Sequence, residues 1–587
     1  MTIFNVLTLF GGLALFLYGM NVMGDGLKKS AGSRLETILS SLTSNRFKGF
    51  LLGLVVTAVI QSSSATTVMV VGFVNSGIMT LVQGSGVIIG ANLGTTITSW
   101  ILSLSGISGD NPIVEFFKPT TFAPVLAVIG IIFYMFLKDE KRKDTGMILL
   151  GFAVLMFGME TMSSAVAPLA DVPEFTNILL KFSNPFLGLM AGLILTLIIQ
   201  SSSASIGILQ ALTLTGAVPF SVCVPVIMGQ NLGTCITAII SSIGAKTNAK
   251  RAALIHLYYN IIGVGLFMVI FYALNAFIHF PFLETYADPA GIALVHSLFN
   301  IAEAIVLFPM GNILVKLATA TVKDKPGEGE GNRPKALDLL DSRFIDSPAI
   351  AVQQCQRVEN DMASRTQECL LTALSLIETY DREKVKNVLQ MEDEIDMFED
   401  QLGTYIVRFS SKPLTIRDNK KVSVMLHTIG NLERMSDHAR NIAESVEKMN
   451  EKQLTFSEKG REELRVYCAA LTENIDLTMK ALKDEDIETA RMVEPLEEVI
   501  DNLNERAKRH HVKRLQKGKC TMELGVMLED LMTDLERISD HCSNIAVTII
   551  EIADDTYDTH EYLDTLKESQ TPEFQRLYAQ FDQKYHI

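Results

Sequence analysis

The chain has 587 residues, 48% hydrophobic and 20% charged, with a formal net charge of −15. That length predicts more than one domain. The acidic balance excludes a general nucleic-acid binder, because a phosphate backbone has to be met by a surplus of Lys and Arg. Charges are sparse before about Thr321 and dense after it, so the averages conceal a membrane half and a soluble half.

The first apolar run, MTIFNVLTLFGGLALFLYGM, lacks the basic start and small-residue cleavage site of a signal peptide and is read as structure. A membrane-crossing helix needs about 20 apolar residues. Candidate spans are roughly 3–23, 81–105, 119–138, 146–166, 218–244, 252–280 and 290–318. The stretches 47–77 and 184–214 are each too short for two crossings and polar at the middle: QSSSATT at Gln61–Thr67 and QSSSAS at Gln200–Ser205.

These interruptions belong to a duplication. LYGMNVM at Leu17 matches MFGMETM at Met156, GLVVTAVIQSSSA at Gly53 matches GLILTLIIQSSSA at Gly192, and GANLGTTIT at Gly90 matches GQNLGTCIT at Gly229. The offset is 139 each time (156−17, 192−53, 229−90). Such a duplication marks many secondary transporters, and Gly-interrupted hydrophobic segments at matching places point to the binding site. If 47–77 and 184–214 are re-entrant hairpins, three crossings separate the copies and the copies are inverted. The basic residues Lys28, Lys29, Arg34, Arg46, Lys48, Lys141, Arg142, Lys143, Lys246, Lys250, Arg251, Lys323 and Lys325 then share one side, and Asp171, Glu174, Glu284 and Asp288 the other. The positive-inside rule prefers this arrangement, with the N-terminus outside and the soluble half in the cytoplasm.

Non-helical backbone at membrane depth survives only where it is buried in protein or lines a cavity. At such a tip, helix N-termini and Ser hydroxyls donate to an anion, while Gln, Asn and Thr oxygens suit a hard cation such as sodium. No Asp, Glu, Lys, Arg or His occurs from Gly49 to Gly109 or from Asn184 to Ala245. A multivalent anion in so neutral a site needs co-bound cations, which favours cation-coupled symport. The bland alternative is Ser and Thr packing between helices. Two copies of QSSS, each followed 31 residues later by N-L-G-T (92−61 and 231−200), weigh against it.

The paired QSSS and G-x-N-L-G-T motifs resemble the type II sodium–phosphate cotransporter family and its bacterial relatives, over about the first 320 residues. The resemblance implies phosphate carried with sodium. Its substrate and ion positions fall on Gln61, Ser62, Ser63, Ser64, Thr66, Gln200, Ser201, Ser202, Ser203 and Ser205, with Asn92, Thr95, Asn231 and Thr234 from the second motif. The copies differ at Thr66/Ser205, Ala91/Gln230 and Thr96/Cys235, so the two sites need not be equivalent. His256 with Asn260 and His296 with Asn300 each share a helix face and read first as helix–helix hydrogen bonding, with a proton relay as the rival. Glu160 and Glu303, in apolar helices, are further functional candidates.

After the Gly- and charge-rich stretch KDKPGEGEGNRPK at Lys323, apolar residues recur at helical spacing. NLERMSDHARNIAE at Asn431 pairs with DLERISDHCSNIAV at Asp534, an offset of 103. Carboxylates four apart share a helix face in Glu392/Asp396, Glu433/Asp437, Glu497/Asp501 and Glu536/Asp540. Facing pairs of this kind make carboxylate metal sites; a solvated face with Arg partners is the rival reading. The motif resembles the PhoU family, with its E-x-x-x-D signature, over roughly 345–560. This resemblance implies a phosphate-responsive regulatory bundle holding a divalent or iron/zinc-type metal. The seven cysteines include no CxxC pair and are read as reduced.

The expectation is an all-α protein in three parts. Residues 1–320 form a polytopic membrane domain of two inverted repeats with re-entrant hairpins (about 1–138 and 146–280), 321–344 a linker, and 345–587 a cytoplasmic PhoU-like bundle. Its expected function is sodium-coupled phosphate symport at the cell (inner) membrane by alternating access, with sodium, phosphate and the lipid bilayer as partners. A homo-oligomer or a cytoplasmic regulatory partner is compatible with it. A phosphate sensor without net transport, or a sodium-coupled carrier of another anion, is the alternative. No P-loop, nucleophile elbow or HExxH motif argues for an enzyme.

Overall fold

The computed structural model describes residues 3–41, 45–107, 118–170, 172–324, 333–412, 414–553 and 572–587. Lys325, Asp171 and the Gly-rich linker stretch 325–332 lie outside the described residues. Two compact units emerge, 1–330 and 331–587. Both are helical. The described residues contain no strand, only an isolated bridge between Pro219 and Tyr286.

In the first unit the helices are α1 (Ile3–Ser41), α2 (Arg46–Ile60), α3 (Ser63–Asn75), α4 (Leu81–Ser103), α5 (Pro119–Phe136), α6 (Glu140–Val166), α7 (Pro173–Lys181), α8 (Pro185–Ile199), α9 (Ser202–Thr213), α10 (Phe220–Gly233), α11 (Cys235–Ser241), α12 (Thr247–Ile278), α13 (Pro289–Leu307) and α14 (Gly311–Thr321). Seven described helical segments have the length and hydropathy to cross a membrane: Ile3–Ser30, Leu81–Gly106, Pro119–Phe136, Lys141–Leu169, Phe220–Ser241, Thr247–Ile278 and Pro289–Leu307. They fall on the seven spans read from hydropathy. Large apolar side chains such as Phe4, Phe136, Ile198, Val269 and Phe277 face outward, as a lipid-facing surface requires. The span expected as one helix over 218–244 is broken at Thr234, between α10 and α11, and that over 290–318 is broken at Phe308–Met310, between α13 and α14. The counterpart of the first of these, α4, is continuous.

The duplication is visible in the packing. α2 lies on α4 as α8 lies on α10, each at a glycine crossing. A Cβ at Gly90 would stand 1.9 Å from the carbonyl oxygen of Phe50, and one at Gly229 would stand 1.9 Å from that of Leu189. Both partners keep the 139-residue offset (189−50). Backbones this close admit no side chain; small residues are what allow membrane helices to approach.

The second unit holds α15 (Pro348–Glu378), α16 (Arg382–Ser410), α17 (Ile416–Glu451), α18 (Glu458–Asp484), the short α19 (Ile487–Ala490), α20 (Val493–Gln516), α21 (Met522–Ala553) and α22 (Pro572–Lys584). Asp381, Thr415, Ser457 and Asp486 cap α16 to α19 by accepting first-turn N–H groups. α15, α16 and α17 pack together, as do α18, α20 and α21, and α17 lies on α21. That contact joins the two SDH motifs. His438 Nδ1 meets Asp534 Oδ1 at 2.8 Å, and His541 Nδ1 meets Asn431 Oδ1 at 2.9 Å. The two rings stack with centroids 5.7 Å apart. Both pairs keep the 103-residue offset (541−438, 534−431). Residues 333–344, read from sequence as linker, are ordered on this unit: Leu337 and Phe344 are buried, and the Tyr405 hydroxyl donates to the Asp341 carbonyl at 2.7 Å. The seven cysteines are free thiols.

Two predictions follow from this packing. Gly90→Ala and Gly229→Ala each destabilise the detergent-solubilised protein by the cost of overpacking, about 1–3 kcal/mol, read as a lowered thermal midpoint. Gly11→Ala, where nothing lies within 4 Å of the new Cβ, leaves the midpoint unchanged. In the second unit, Glu359 is buried beneath Thr428, whose hydroxyl donates to it. Burial pushes its carboxyl up to about 7 from 4.5, against the opposing Thr428 bond. The folded state therefore holds this proton more tightly, and stability falls as pH rises from about 4.5 through 7. In denaturant titrations Glu359→Gln flattens that fall, on the order of 3 kcal/mol across the window.

Candidate functional site

Both polar interruptions are helix breaks of the same construction. α2 ends on Gln61 in the left-handed region (φ 60), and α8 ends on Gln200 (φ 58). A non-glycine residue held there costs about 1–2 kcal/mol. The backbone N–H of Gln61 returns to the Thr57 carbonyl at 2.8 Å, and that of Gln200 returns to Thr196 at 2.7 Å. One residue on, Ser62 and Ser201 turn extended and cap α3 and α9. Each hydroxyl accepts from the N–H three residues ahead, Ala65 and Ala204, at 3.2 Å. The next residues, Ser63, Ser64, Ser202 and Ser203, open the new helices with first-turn N–H groups that no helical carbonyl can satisfy. Their hydroxyls have no hydrogen-bond partner among the described residues. Each tip is thus a set of donors at a helix N-terminus.

Beneath this common backbone the side chains diverge. Thr66 Oγ1 donates to the Ser62 carbonyl at 3.1 Å and lies 3.0 Å from Thr57 Oγ1. At the equivalent places the hydroxyls of Thr196 and Ser205 are buried without a partner. Gln61 is buried with its Oε1 unpartnered, whereas Gln200 is exposed. Gln230 Nε2 donates to the Ser205 carbonyl at 3.0 Å, a bond that Ala91 cannot make in the first copy.

Tertiary packing crosses the copies. α3 lies against α11 and α12, and α9 against α4, so each tip helix packs on helices of the other copy; α9 also packs on α6 of its own. Gln210 Nε2 ties α9 to α4 and α13 through the carbonyls of Ser99 (3.0 Å) and Pro289 (2.9 Å). The motif asparagines are buried and engaged. Asn92 Oδ1 lies 3.4 Å from His256 Nε2, and Asn231 Oδ1 lies 3.3 Å from His296 Nε2. Asn231 Nδ2 also donates to Asn300 Oδ1 at 3.0 Å. The Thr95 and Thr234 hydroxyls donate to their own helices, at Ala91 O (3.1 Å) and Asn231 O (2.6 Å), which leaves their oxygen lone pairs to accept or ligate. His256, His296 and Asn300 of the paired His-Asn spacing thus make helix–helix hydrogen bonds to the motif asparagines, while Asn260 donates to the His256 carbonyl of its own helix. Glu160 is exposed, and Glu303 is buried.

In the second unit the structure gathers Glu392, Asp396 and Asp437 into one carboxylate group and Glu497, Asp501 and Asp540 into another, each with oxygens within 4.8 Å of one another. Glu433 and Glu536 stand outside these triplets. Glu536 is taken up by Asn504 and by Lys508 at 3.6 Å. Burial, then the charges of Asp437 and Asp396, raise the Glu433 carboxyl to about 7. Burial also raises Glu392, even though Arg440 Nη1 donates to it at 2.8 Å. Crowded, partly desolvated carboxylates of this kind suit a hard or borderline cation.

The fold and the two tips define a multi-pass, all-α membrane protein with an attached helical-bundle domain. The Na+/Pi-cotransporter family model matches at residues 15–164 and again at 154–283, and the PhoU domain model matches at 360–446 and 465–549. The chain belongs to the Na+/Pi-cotransporter family and carries PhoU domains. It is 24% identical to YjbB of Escherichia coli K12, provisionally named an inorganic phosphate export protein, over 95% of this chain and 100% of that one. It is 31% identical to the uncharacterized protein YqeW of Bacillus subtilis, over 51% of this chain and 93% of that one. The crystal structure of PhoU from Pseudomonas aeruginosa is matched at 20% identity and a TM-score of 0.33, over 36% of this chain and 100% of that one.

Proposed function

We propose that the chain is a sodium-coupled phosphate transporter of the plasma membrane working by alternating access between inverted repeats, with its PhoU-like unit as a cytoplasmic regulator. The observation that carries this reading is the doubled helix break. Two N-termini open on Ser63–Ser64 and Ser202–Ser203, in segments without a formal charge. Each N-terminus offers roughly half a positive charge. Two of them offset about one of the two charges of a phosphate dianion, and the remainder calls for a cation. Asn92, Thr95, Asn231 and Thr234 carry neutral oxygens of the kind a sodium ion takes.

Direction follows from the gradients, and the name of YjbB favours export as the second reading. Radiolabelled phosphate flux in proteoliposomes, under sodium gradients of either sign, tests both. Flux is expected to follow the sodium gradient and to fall at least about tenfold in Ser63→Ala with Ser202→Ala, the scale of two lost hydrogen bonds. Flux indifferent to sodium and to both substitutions would refute the reading. Phosphate binding without flux points to a sensor, and stronger uptake of sulfate or succinate points to another anion.

The carboxylate triplets of the second unit we read as metal sites: Glu392, Asp396 and Asp437, and Glu497, Asp501 and Asp540. A bound cation would neutralise like charges and hold the helices of each repeat together. Manganese or zinc at a hundredfold excess over its dissociation constant is then expected to stabilise the folded chain by about 2.7 kcal/mol. Asp396→Asn with Asp501→Asn is expected to abolish that shift in thermal melts.

A further inference from the structure

α12 and α13 carry the same stripe, 40 residues apart. His256, Asn260 and Gly263 on α12 correspond to His296, Asn300 and Glu303 on α13 (296−256, 300−260, 303−263). The spacing i, i+4, i+7 puts each trio on one helix face. The first two places behave alike in both helices. Each histidine reaches a motif asparagine, and Asn260 and Asn300 each donate back to the carbonyl of their own histidine, at 3.0 and 2.8 Å. The third place differs. One helix has no side chain, the other has a carboxylate, and the two positions meet: a Cβ on Gly263 would lie 2.0 Å from Glu303 Oε1. The missing side chain is the socket for the carboxylate.

Glu303 is 4% exposed, and neither of its carboxylate oxygens has a hydrogen-bond partner. It forms no ion pair among the described residues. The nearest buried cation along α12, Arg251, is twelve residues or about 18 Å away and is bound to Asp324. From α12, His256 and Tyr259 face this region, and from α11, Cys235. Cys223 is the titratable side chain of α10, His296 lies on α13 itself, and α4 and α9 carry none. None of these brings a permanent positive charge. An ionised carboxylate left unpaired in a membrane interior costs several kcal/mol, and such residues are by default functional. The charge has to be removed by a cation. Sodium needs several converging oxygens, whereas Glu303 lies flat against the bare backbone at Gly263; a proton needs one oxygen.

We propose that Glu303 is a proton-binding site in the membrane unit, and that its occupancy sets the rate of phosphate movement. The second half of this statement rests on the transport reading above; the first does not. Loss of the proton places a charge in the Gly263 socket and drives α12 and α13 apart. Seven residues along the same stripe, His296 holds Asn231, so a shift of α13 reaches the motif directly.

The test uses the full chain in two measurements. Infrared difference spectroscopy across a pH titration should show the carbonyl band of a neutral carboxylic acid that disappears in Glu303→Gln. In proteoliposomes at fixed sodium gradient, wild-type flux should fall by about tenfold per pH unit above the titration point of one essential proton. Glu303→Gln, a neutral isostere, should lose that component and keep whatever the histidines and phosphate itself contribute. Gly263→Ala, which fills the socket, should shift the wild-type pH profile if Glu303→Gln does not fold. Absence of the band, or an unchanged flux profile in Glu303→Gln, overturns the proposal. A change in sodium dependence with an unchanged pH profile makes Glu303 a sodium ligand and overturns it as well. If wild type moves no phosphate at any pH, the transport reading fails while the infrared band still decides the proton site.

Discussion

The membrane unit depends on one constraint: a backbone that stops being helical at membrane depth must satisfy its own polar groups. At Gln61 and Gln200 the chain meets this by a left-handed residue that returns its N–H to the helix just ended, followed by a serine that caps the helix about to begin. What stays unsatisfied is the N–H groups of Ser63, Ser64, Ser202 and Ser203, and these, with their four hydroxyls, are the proposed recognition surface. Other features serve the same need. Glycine crossings at Gly90 and Gly229 draw α4 and α10 onto the helices leading into the breaks.

Duplication preserved this backbone and released the side chains. Gln61 is buried and Gln200 exposed. Thr66 bonds to Thr57, while Ser205 and Thr196 are unpartnered; α4 runs through, and α10 gives way to α11 at Thr234. Two copies of one scaffold thus present two different sets of oxygens, which is what a site needs if an anion and its counter-cations are to sit side by side. The same logic holds between α12 and α13, where a shared His-Asn stripe ends in glycine on one helix and glutamate on the other.

In the second unit one motif does two jobs. Within SDHxxN the histidines turn inward and bind the partner repeat, His438 to Asp534 and His541 to Asn431, while Asp437 and Asp540 join carboxylates from the neighbouring helices α16 and α20. The repeat interface and the cation-suited groups are therefore set by the same turn of helix. The carboxylate positions Glu433 and Glu536 share a helix face with Asp437 and Asp540 but fall outside the triplets: Glu536 is taken up by Asn504 and Lys508, while Glu433 stands close enough for Asp437 and Asp396 to raise its carboxyl.

Sequence alone determined what is local or repeated: seven spans from hydropathy, two breaks from QSSS, the 139- and 103-residue offsets, and the absence of charge around the tips. Those signals are carried by neighbours along the chain, where 20-residue runs and i, i+4 spacing act directly. Only the tertiary structure decided which distant side chains meet. His256 faces Asn92 and His296 faces Asn231, Gly263 makes room for Glu303, Gln200 is turned outward, and residues 333–344 fold onto the second unit. The offset of 40 between the two His-Asn stripes was present in the sequence, but its meaning depended on α12 and α13 packing face to face. Helix periodicity fixes which residues share a face; which face finds which partner is settled by close packing between helices far apart in the chain.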